Sequence, residues 1–332
     1  MSRVAVIGDG GWGTALALLL HRNGHDLRVW GAFEENVRET KLRRENSRFL
    51  PGVELPEAIL FTADPAEAAE AAEVVVLATP SQFYKDVLMR FRDLIPPSAL
   101  AVSVTKGLDR DTHSRMSELA GRILDLGEVA ALSGPSFADE VAAGLPTAVV
   151  IACRDEHRAE CLQHLFSSDV FRVYTSDDVV GTELGGALKN VVAIAAGVSD
   201  GIGFGYNSKA ALITRGLAEI KRLGCALGAR AETFSGLSGM GDLLMTCMGR
   251  LSRNRSVGER LGAGESIEQI RSGMQQVAEG VWNCANARAI ARKRGIEVPI
   301  TDEVYAIVNE GKDPRAAVQS LLARDLKSET ED

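Results

Sequence analysis

Cysteine is scarce and unpatterned in this sequence: the five residues Cys153, Cys161, Cys225, Cys247 and Cys284 include no CxxC and no Cys/His spacing suited to zinc. A disulfide framework is excluded and no metal site is indicated; free thiols in a reducing cytoplasm are the expectation. Long apolar runs are missing too. None approaches the roughly 18 residues of a membrane helix, so no stable membrane insertion is expected. The opening MSRVAVIG lacks the basic n-region and long apolar stretch of a secretory signal. Positive charge is in deficit, with 37 Lys+Arg against 45 Asp+Glu giving a net charge of −8. Nucleic acid or an anionic membrane surface is therefore not expected as the main partner, and an anionic ligand would need a local basic pocket.

What is present is ordinary globular composition, 45% hydrophobic and 25% charged, in a chain of 332 residues, enough for two domains at roughly 100 to 200 residues each. From residue 3 to about 175, short β-branched runs alternate with helical patterns: Val4–Ile7, Leu27–Trp30, Val74–Ala78, Leu100–Val104, Val129–Leu132, Ala148–Ala152 and Phe171–Tyr174. Strands spaced by helices predict a mostly parallel α/β sheet. The runs VVVLA and AVVIA are apolar at successive positions, as in strands covered on both faces. After about residue 178, stretches rich in Ala, Leu, Ile and Gly recur at helical spacing and β-rich runs disappear, so the second half is predicted to be helical. Residues 1–180 are expected to form one domain and 181–332 another. Only the charged end, Lys327 to Asp332, reads as loose.

The first chemical motif is Gly8-Asp9-Gly10-Gly11-Trp12-Gly13, a GxGxxG placed after a strand and before an apolar helix. Glycines there permit a tight turn and close approach of backbone to a pyrophosphate, whose charge is favoured at a helix N-terminus. The alternative is a glycine turn that binds nothing. A dinucleotide site also expects an acidic residue near the end of the second strand. That strand ends Val29-Trp30-Gly31-Ala32; Glu34 and Glu35 follow, then Arg38, Lys41, Arg43 and Arg44. NAD against NADP stays open on this evidence. The carboxylates lead us to expect dual use, with NADH at least as good as NADPH.

Ligands of open α/β sheets lie beyond the carboxyl ends of the strands. There the sequence offers Thr79-Pro80-Ser81, Thr105-Lys106-Gly107 and Ser133-Gly134-Pro135-Ser136. Ser136, with Asp139 three residues on, reads equally as a helix cap or a ligand contact, and Lys106 as a ligand or a solvated lysine. In Gly185-Gly186-Ala187-Leu188-Lys189-Asn190 a lysine sits amid small and aliphatic residues. Desolvation and a nearby cation such as Lys106 would lower its pKa toward proton exchange near neutrality; snorkelling to solvent is the alternative. Asp242 and Thr246 share a helix face at i, i+4. Ser252-Arg253-Asn254-Arg255 is a helix start with an N-cap candidate, either a phosphate site or a capped helix with solvated arginines. The loop Asp200–Gly205 reads as mobile or tightly turning.

GDGGWGTALA, ATPSQ, VTKGL, LSGPSFADEVAAGLPTA, GGALKNVVAIAAGVSDGIGFG, ALITRGLAE, GMGDLLMTC, SRNR and VAEG fall in order from residue 8 to residue 280. Together they closely resemble the bacterial type of NAD(P)-dependent glycerol-3-phosphate dehydrogenase. The resemblance implies an N-terminal Rossmann-like, mostly parallel sheet domain that binds NAD or NADP and a C-terminal all-helical domain that binds a small phosphorylated substrate. It implies hydride transfer between the nicotinamide and C2 of dihydroxyacetone phosphate, giving sn-glycerol 3-phosphate for glycerophospholipid synthesis. By similarity Lys189 is the proton donor and acceptor, with Lys106, Asp242 and Thr246 around the reacting oxygen. Gly134, Ser136, Ser252, Arg253 and Asn254 match substrate positions; Gly11, Trp12, Lys106, Ala138, Arg253, Val277 and Glu279 match cofactor positions, beside Gly8, Gly10 and Gly13 of the turn. The chain departs from the family at Ala32-Phe33-Glu34, where a basic residue often follows the Trp-Gly of the second strand. A β-hydroxyacid type dehydrogenase of the same architecture and a non-catalytic dinucleotide sensor are the alternatives, and a homodimer is left open.

Overall fold

In the computed structural model the described residues are 1–274, 278–326 and 328–329. Val277 lies outside them, as does most of the charged end. Among the described residues ten strands form: β1 Arg3–Ile7, β2 Asp26–Trp30, β3 Glu45–Asn46, β4 Leu50–Glu54, β5 Leu60–Thr62, β6 Val74–Leu77, β7 Leu100–Ser103, β8 Ala130–Ser133, β9 Thr147–Ala152 and β10 Phe171–Ser176. Eight of them make one sheet in the order β10-β9-β8-β7-β6-β1-β2-β5, and β3 pairs with β4 as a separate hairpin.

Alternation along the strands explains the two-sided core. In β1, Val4 and Val6 join the cluster with Leu16, Leu20 and Leu162, while Ala5 and Ile7 join Tyr84, Phe91 and Met116 on the other face. Val74 and Val76 of β6 divide from Val75 and Leu77 in the same way. Both faces are thus covered by helices, which is why VVVL carries no polar residue. The helix Gly11–Arg22 lies on one face and the helices Ser81–Phe91 and Met116–Leu124 on the other.

The sheet is mostly parallel, as the sequence predicts, but β8 and β9 run antiparallel. A parallel return needs a long crossover, and the link between them holds only the five-residue helix Ala138–Ala142. Three strands had no clear signature. β5 has three residues, β3 two, and β4 contains Pro51 and Gly52, which β-propensity disfavours away from edges.

Two compact units emerge, Met1–Asp109 with Ser114–Val179, and Arg110–His113 with Val180–Asp332. The four-residue excursion into the second unit is anchored by Arg110 over the Trp282 ring at 5.0 Å and by His113 Nδ1 with Asn286 Oδ1 at 3.2 Å. The described part of the second unit contains helices and no strand after β10.

The centre of the second unit is the helix Val179–Ile202, long and apolar enough by composition to cross a membrane, yet 89% of its most apolar window is buried inside the protein. Its apolar character is that of a core helix. Its backbone touches that of the helix Arg253–Gly262: a Cβ at Gly197 would lie 2.0 Å from Arg255 O, and one at Gly258 2.0 Å from Ile194 O. Val191, Ile194 and Val198 pack there with Val257, Leu261 and Val281.

Candidate active site

In the first unit the glycine turn joins β1 to the helix Gly11–Arg22. Gly8 has φ +123, and a Cβ there would stand 2.8 Å from Ala78 O; a Cβ at Gly13 would stand 2.0 Å from Gly8 O. Those two glycines are required by the fold itself. Gly10 is not: φ is −62 and a Cβ would meet nothing within 4 Å. Its bareness leaves room beside a helix N-terminus that carries no side-chain cap, the arrangement that suits a pyrophosphate. Trp12 Nε1 is buried without a partner among the described residues. The first unit therefore fits a dinucleotide at Gly8, Gly10, Gly11, Trp12 and Gly13.

The turn is held from outside. Asn46 Nδ2 donates to Asp9 O at 2.6 Å and to Thr14 Oγ1 at 2.9 Å, while Asn36 Nδ2 donates to Asp9 Oδ2 at 2.7 Å. Burial, partly offset by the Asn36 bond, pushes the Asp9 carboxyl above its usual range. Sequence reasoning missed both asparagines, since no motif links residues so far apart in the chain. Ala138 Cβ would be 3.8 Å from a Cβ at Gly11.

Past the ends of β7 and β8, Lys106 Nζ donates to Gly134 O at 3.0 Å and Ser136 Oγ donates to the same carbonyl at 3.0 Å. The structure thus brings Lys106, Gly134 and Ser136 together. Ser136 does not cap the helix Ala138–Ala142, whose N-cap is Phe137, so of the two sequence readings the capping one is excluded. Gly134 needs its glycine: φ is +142, and a Cβ would be 2.9 Å from Val149 Cα.

In the second unit Lys189 is 4% exposed, Asp242 0% and Thr246 4%. Lys189 Nζ donates to Asp242 Oδ1 and, at 2.7 Å, to Thr246 Oγ1; Thr246 Oγ1 donates to Asp242 O at 2.6 Å. Lys189 does not snorkel. Its ammonium group is held inside the protein by a buried carboxylate. Asp242 opens the helix Asp242–Met248 after a π-helical turn, Leu237–Gly241, and the i, i+4 spacing places Asp242 and Thr246 on the lysine. Gly185, one of the small residues noted in the sequence, allows the core helix Val179–Ile202 to approach another backbone: a Cβ would be 2.4 Å from Ser238 O. Cys247 is beside the pair, but burial pushes its thiol up to about 12, so it is no nucleophile near neutral pH.

Ser252 is the N-cap of Arg253–Gly262, its Oγ accepting from Arg255 N at 3.2 Å. Asn254 uses both ends of its amide internally: Nδ2 donates to Asn190 Oδ1 at 2.9 Å and Oδ1 accepts from Gly280 N at 2.8 Å. Its side chain thereby fixes the helix start against Lys189's neighbour. Glu279 is the residue before Gly280, as N-cap of Gly280–Arg294. Arg250, Arg253 and Arg260 line a cleft of about 230 Å³ with Ser252 and Ser256. Of the expected loop Asp200–Gly205, Asp200–Ile202 are instead the last turn of the core helix, and the chain turns only at Gly203, φ +91; Asp200 is tied to Lys209 at 2.5 Å and Arg255 at 2.7 Å. Among the described residues no cluster of three or more His, Cys, Asp or Glu is placed to hold a metal.

A parallel sheet with an open glycine turn at its central strand, joined to a helical unit with a buried Lys-Asp-Thr cluster, defines a protein of the dinucleotide-dependent oxidoreductase class. The chain belongs to the NAD-dependent glycerol-3-phosphate dehydrogenase family: the model of the family's N-terminus matches residues 3–159 and that of its C-terminus residues 178–319. It is 50% identical over 331 residues to a glycerol-3-phosphate dehydrogenase [NAD(P)+] of Geobacter sulfurreducens, covering 98% of both chains, and 49% identical over 330 residues to that of Citrifermentans bemidjiense, again covering 98% of both. Among solved structures, glycerol-3-phosphate dehydrogenase from Coxiella burnetii superposes with a TM-score of 0.94 at 39% identity, over 97% of this chain and 99% of that one.

Proposed function

We propose that this protein interconverts dihydroxyacetone phosphate and sn-glycerol 3-phosphate with NAD(P)(H), supplying the latter for glycerophospholipid synthesis in the cytoplasm. The observation that carries the reading is the buried Lys189 ammonium held by Asp242 and Thr246. NAD(P)H, when bound at the glycine turn, would supply the hydride that the carbonyl carbon takes up. Lys189 Nζ gives a proton to the carbonyl oxygen and takes it back in the reverse direction, general acid–base help typically worth about 10²- to 10⁴-fold. Asp242 keeps the lysine charged before transfer, and Thr246 fixes its direction. Lys106, held at Gly134 O, offsets negative charge developing on the oxygen, with Gly134 and Ser136 as substrate contacts. Gly8, Gly10, Gly11, Trp12, Gly13 and Ala138 hold the cofactor, and Glu279 and Arg253 add contacts to it. Ser252, Arg253 and the Asn254 backbone take the substrate phosphate, whose remote binding energy orients the ketone. All five cysteines are free, which supports a reducing compartment.

The test is oxidation of NADH and NADPH by purified protein with dihydroxyacetone phosphate, and reduction of NAD(P) with sn-glycerol 3-phosphate. Turnover is expected with the phosphates and not with β-hydroxyacids. Dinucleotide binding without turnover of either phosphate would instead identify a sensor and sink the reading.

Arg253→Ala is expected to raise KM for dihydroxyacetone phosphate by about tenfold to a hundredfold, equivalent to losing a charge-assisted hydrogen bond of roughly 1.5 to 3 kcal/mol. Steady-state kinetics check this, and an unchanged KM removes Arg253 from the phosphate.

A further inference from the structure

The hairpin β3–β4 carries an arginine to the tip of β2. Asn46 of β3 is bonded to the glycine turn, Phe49 N is 3.3 Å from Asn46 Oδ1, and Phe49 O would be 2.6 Å from a Cβ at Gly11. The Asn46–Phe49 turn is therefore clamped on the cofactor loop. From it the Arg48 guanidinium reaches between two aromatic rings, 4.8 Å from the centroid of Phe33 and 5.0 Å from that of Phe49. Phe33 follows β2 and is 52% exposed. A guanidinium held by ring faces keeps its planar N–H edges available, and that fork matches phosphate.

Most of the other charges near this strand end are engaged with one another or with backbone carbonyls. Arg38 pairs with Glu35 at 3.5 Å and Arg43 with Glu39 at 3.0 Å, all on exposed side chains. Arg44 spends its guanidinium on the carbonyls of Leu55, Pro56 and Ile59. Lys41 lies in the last turn of the helix Glu34–Arg43, away from the strand tip, and Glu34 in its exposed first turn. Asp9 is the remaining carboxylate: its Oδ2 would be 2.4 Å from a Cβ at Gly31, so it reaches the end of β2 from the glycine turn. It is 6% exposed and accepts from Asn36, and Arg48 is among the charges acting on it. Arg48, by contrast, has no ion pair or hydrogen bond among the described residues.

We propose that Arg48, fixed between Phe33 and Phe49, recognises the adenosine 2′-phosphate of NADP(H) and makes NADPH the preferred cofactor. This rests on the dinucleotide reading of the glycine turn, and it reverses the expectation drawn from Glu34 and Glu35, of which Glu35 faces solvent with Arg38. Arg48 is a specificity-determining residue and takes no part in proton or hydride transfer.

Isothermal titration calorimetry of NADPH and NADH against wild type, Arg48→Ala and Arg48→Lys tests it. Wild type is expected to bind NADPH at least about tenfold more tightly than NADH, the scale of one charge-assisted phosphate contact. Arg48→Ala is expected to bring that ratio near one, whatever happens to NADH itself, and Arg48→Lys to restore part of it, because a point charge replaces the fork. Adenosine 2′,5′-bisphosphate should lose affinity in parallel with NADPH, and ADP should not. A ratio unchanged in Arg48→Ala, or a wild type that prefers NADH, overturns the assignment. Binding of neither dinucleotide to wild type would overturn the functional reading and the assignment with it.

Discussion

Lys189→Met is expected to lower kcat by about 10²- to 10⁴-fold, the range for loss of a positioned general acid, while dinucleotide affinity is kept. The cofactor residues of the glycine turn belong to the first unit, and Lys189 to the second, so the substitution removes the proton and not the cradle. It also takes the Lys189 ammonium away from Asp242, which is 0% exposed. Breaking a buried ion pair from one side typically costs about 3 to 5 kcal/mol, a large part of the stability of an ordinary domain. Folding must therefore be separated from chemistry. The double substitution Lys189→Met with Asp242→Asn removes both charges and is expected to regain much of the lost stability with none of the lost turnover. Thermal melts, calorimetric binding of NAD(P)H and steady-state kinetics on both variants decide it. Substantial turnover in the single variant, or turnover regained in the double, would show that the proton comes from another group.

Gly258→Ala is expected to destabilise the second unit severely. Helix propensity alone predicts the opposite, a gain of roughly 1 kcal/mol from replacing glycine inside a helix. Packing decides against it. The added Cβ would lie 2.0 Å from Ile194 O and 2.8 Å from both Ile194 C and Val198 N, and these are backbone atoms of the core helix that cannot rotate aside. The two helices would have to separate, opening voids among Val191, Val198 and Val257. A loss above about 3 kcal/mol is expected, at the upper end for overpacking, or a fall in Tm of roughly 6 to 12 °C. Gly273→Ala is the control, since among the described residues its Cβ would come no closer than 3.9 Å to a neighbour, and a change within about 0.5 kcal/mol is expected. A Gly258→Ala protein as stable as wild type would show that the helices have slack that their backbone contact denies.

Much of the site was legible because its chemistry resides in local motifs. GxGxxG between an apolar run and a helix is a short-range pattern, and so is the i, i+4 pair Asp242 and Thr246 that closes on Lys189. The start at Ser252 was equally readable, because a side-chain oxygen at that position satisfies an N–H of the first helical turn. Val277 lies outside the described residues, so its cofactor role rests on resemblance alone.

What was not legible depends on partners distant in sequence. Asn254 reads as a ligand from the sequence, yet both ends of its amide are used by Asn190 and Gly280. Ser136 reads equally as a cap or a ligand contact, and its bond to Gly134 O beside Lys106 decides against the cap. Arg48 lies on a hairpin whose two-residue β3 and Pro-Gly-bearing β4 carry almost no strand signal, and only the Asn46 bonds to the glycine turn bring it to β2.

The sequence by itself determined the alternation of strands and helices, the two-sided burial of the central strands and the glycine turn, because local sterics and hydrophobic periodicity act within a few residues. Only the tertiary structure decided that Lys189 is paired with an anion, that Gly197 and Gly258 bring two helix backbones into contact, and that an arginine stands at the end of β2. Each of those outcomes depends on which distant groups share a dry, close-packed neighbourhood, and the energy of a charge or a methyl group there is set by those neighbours.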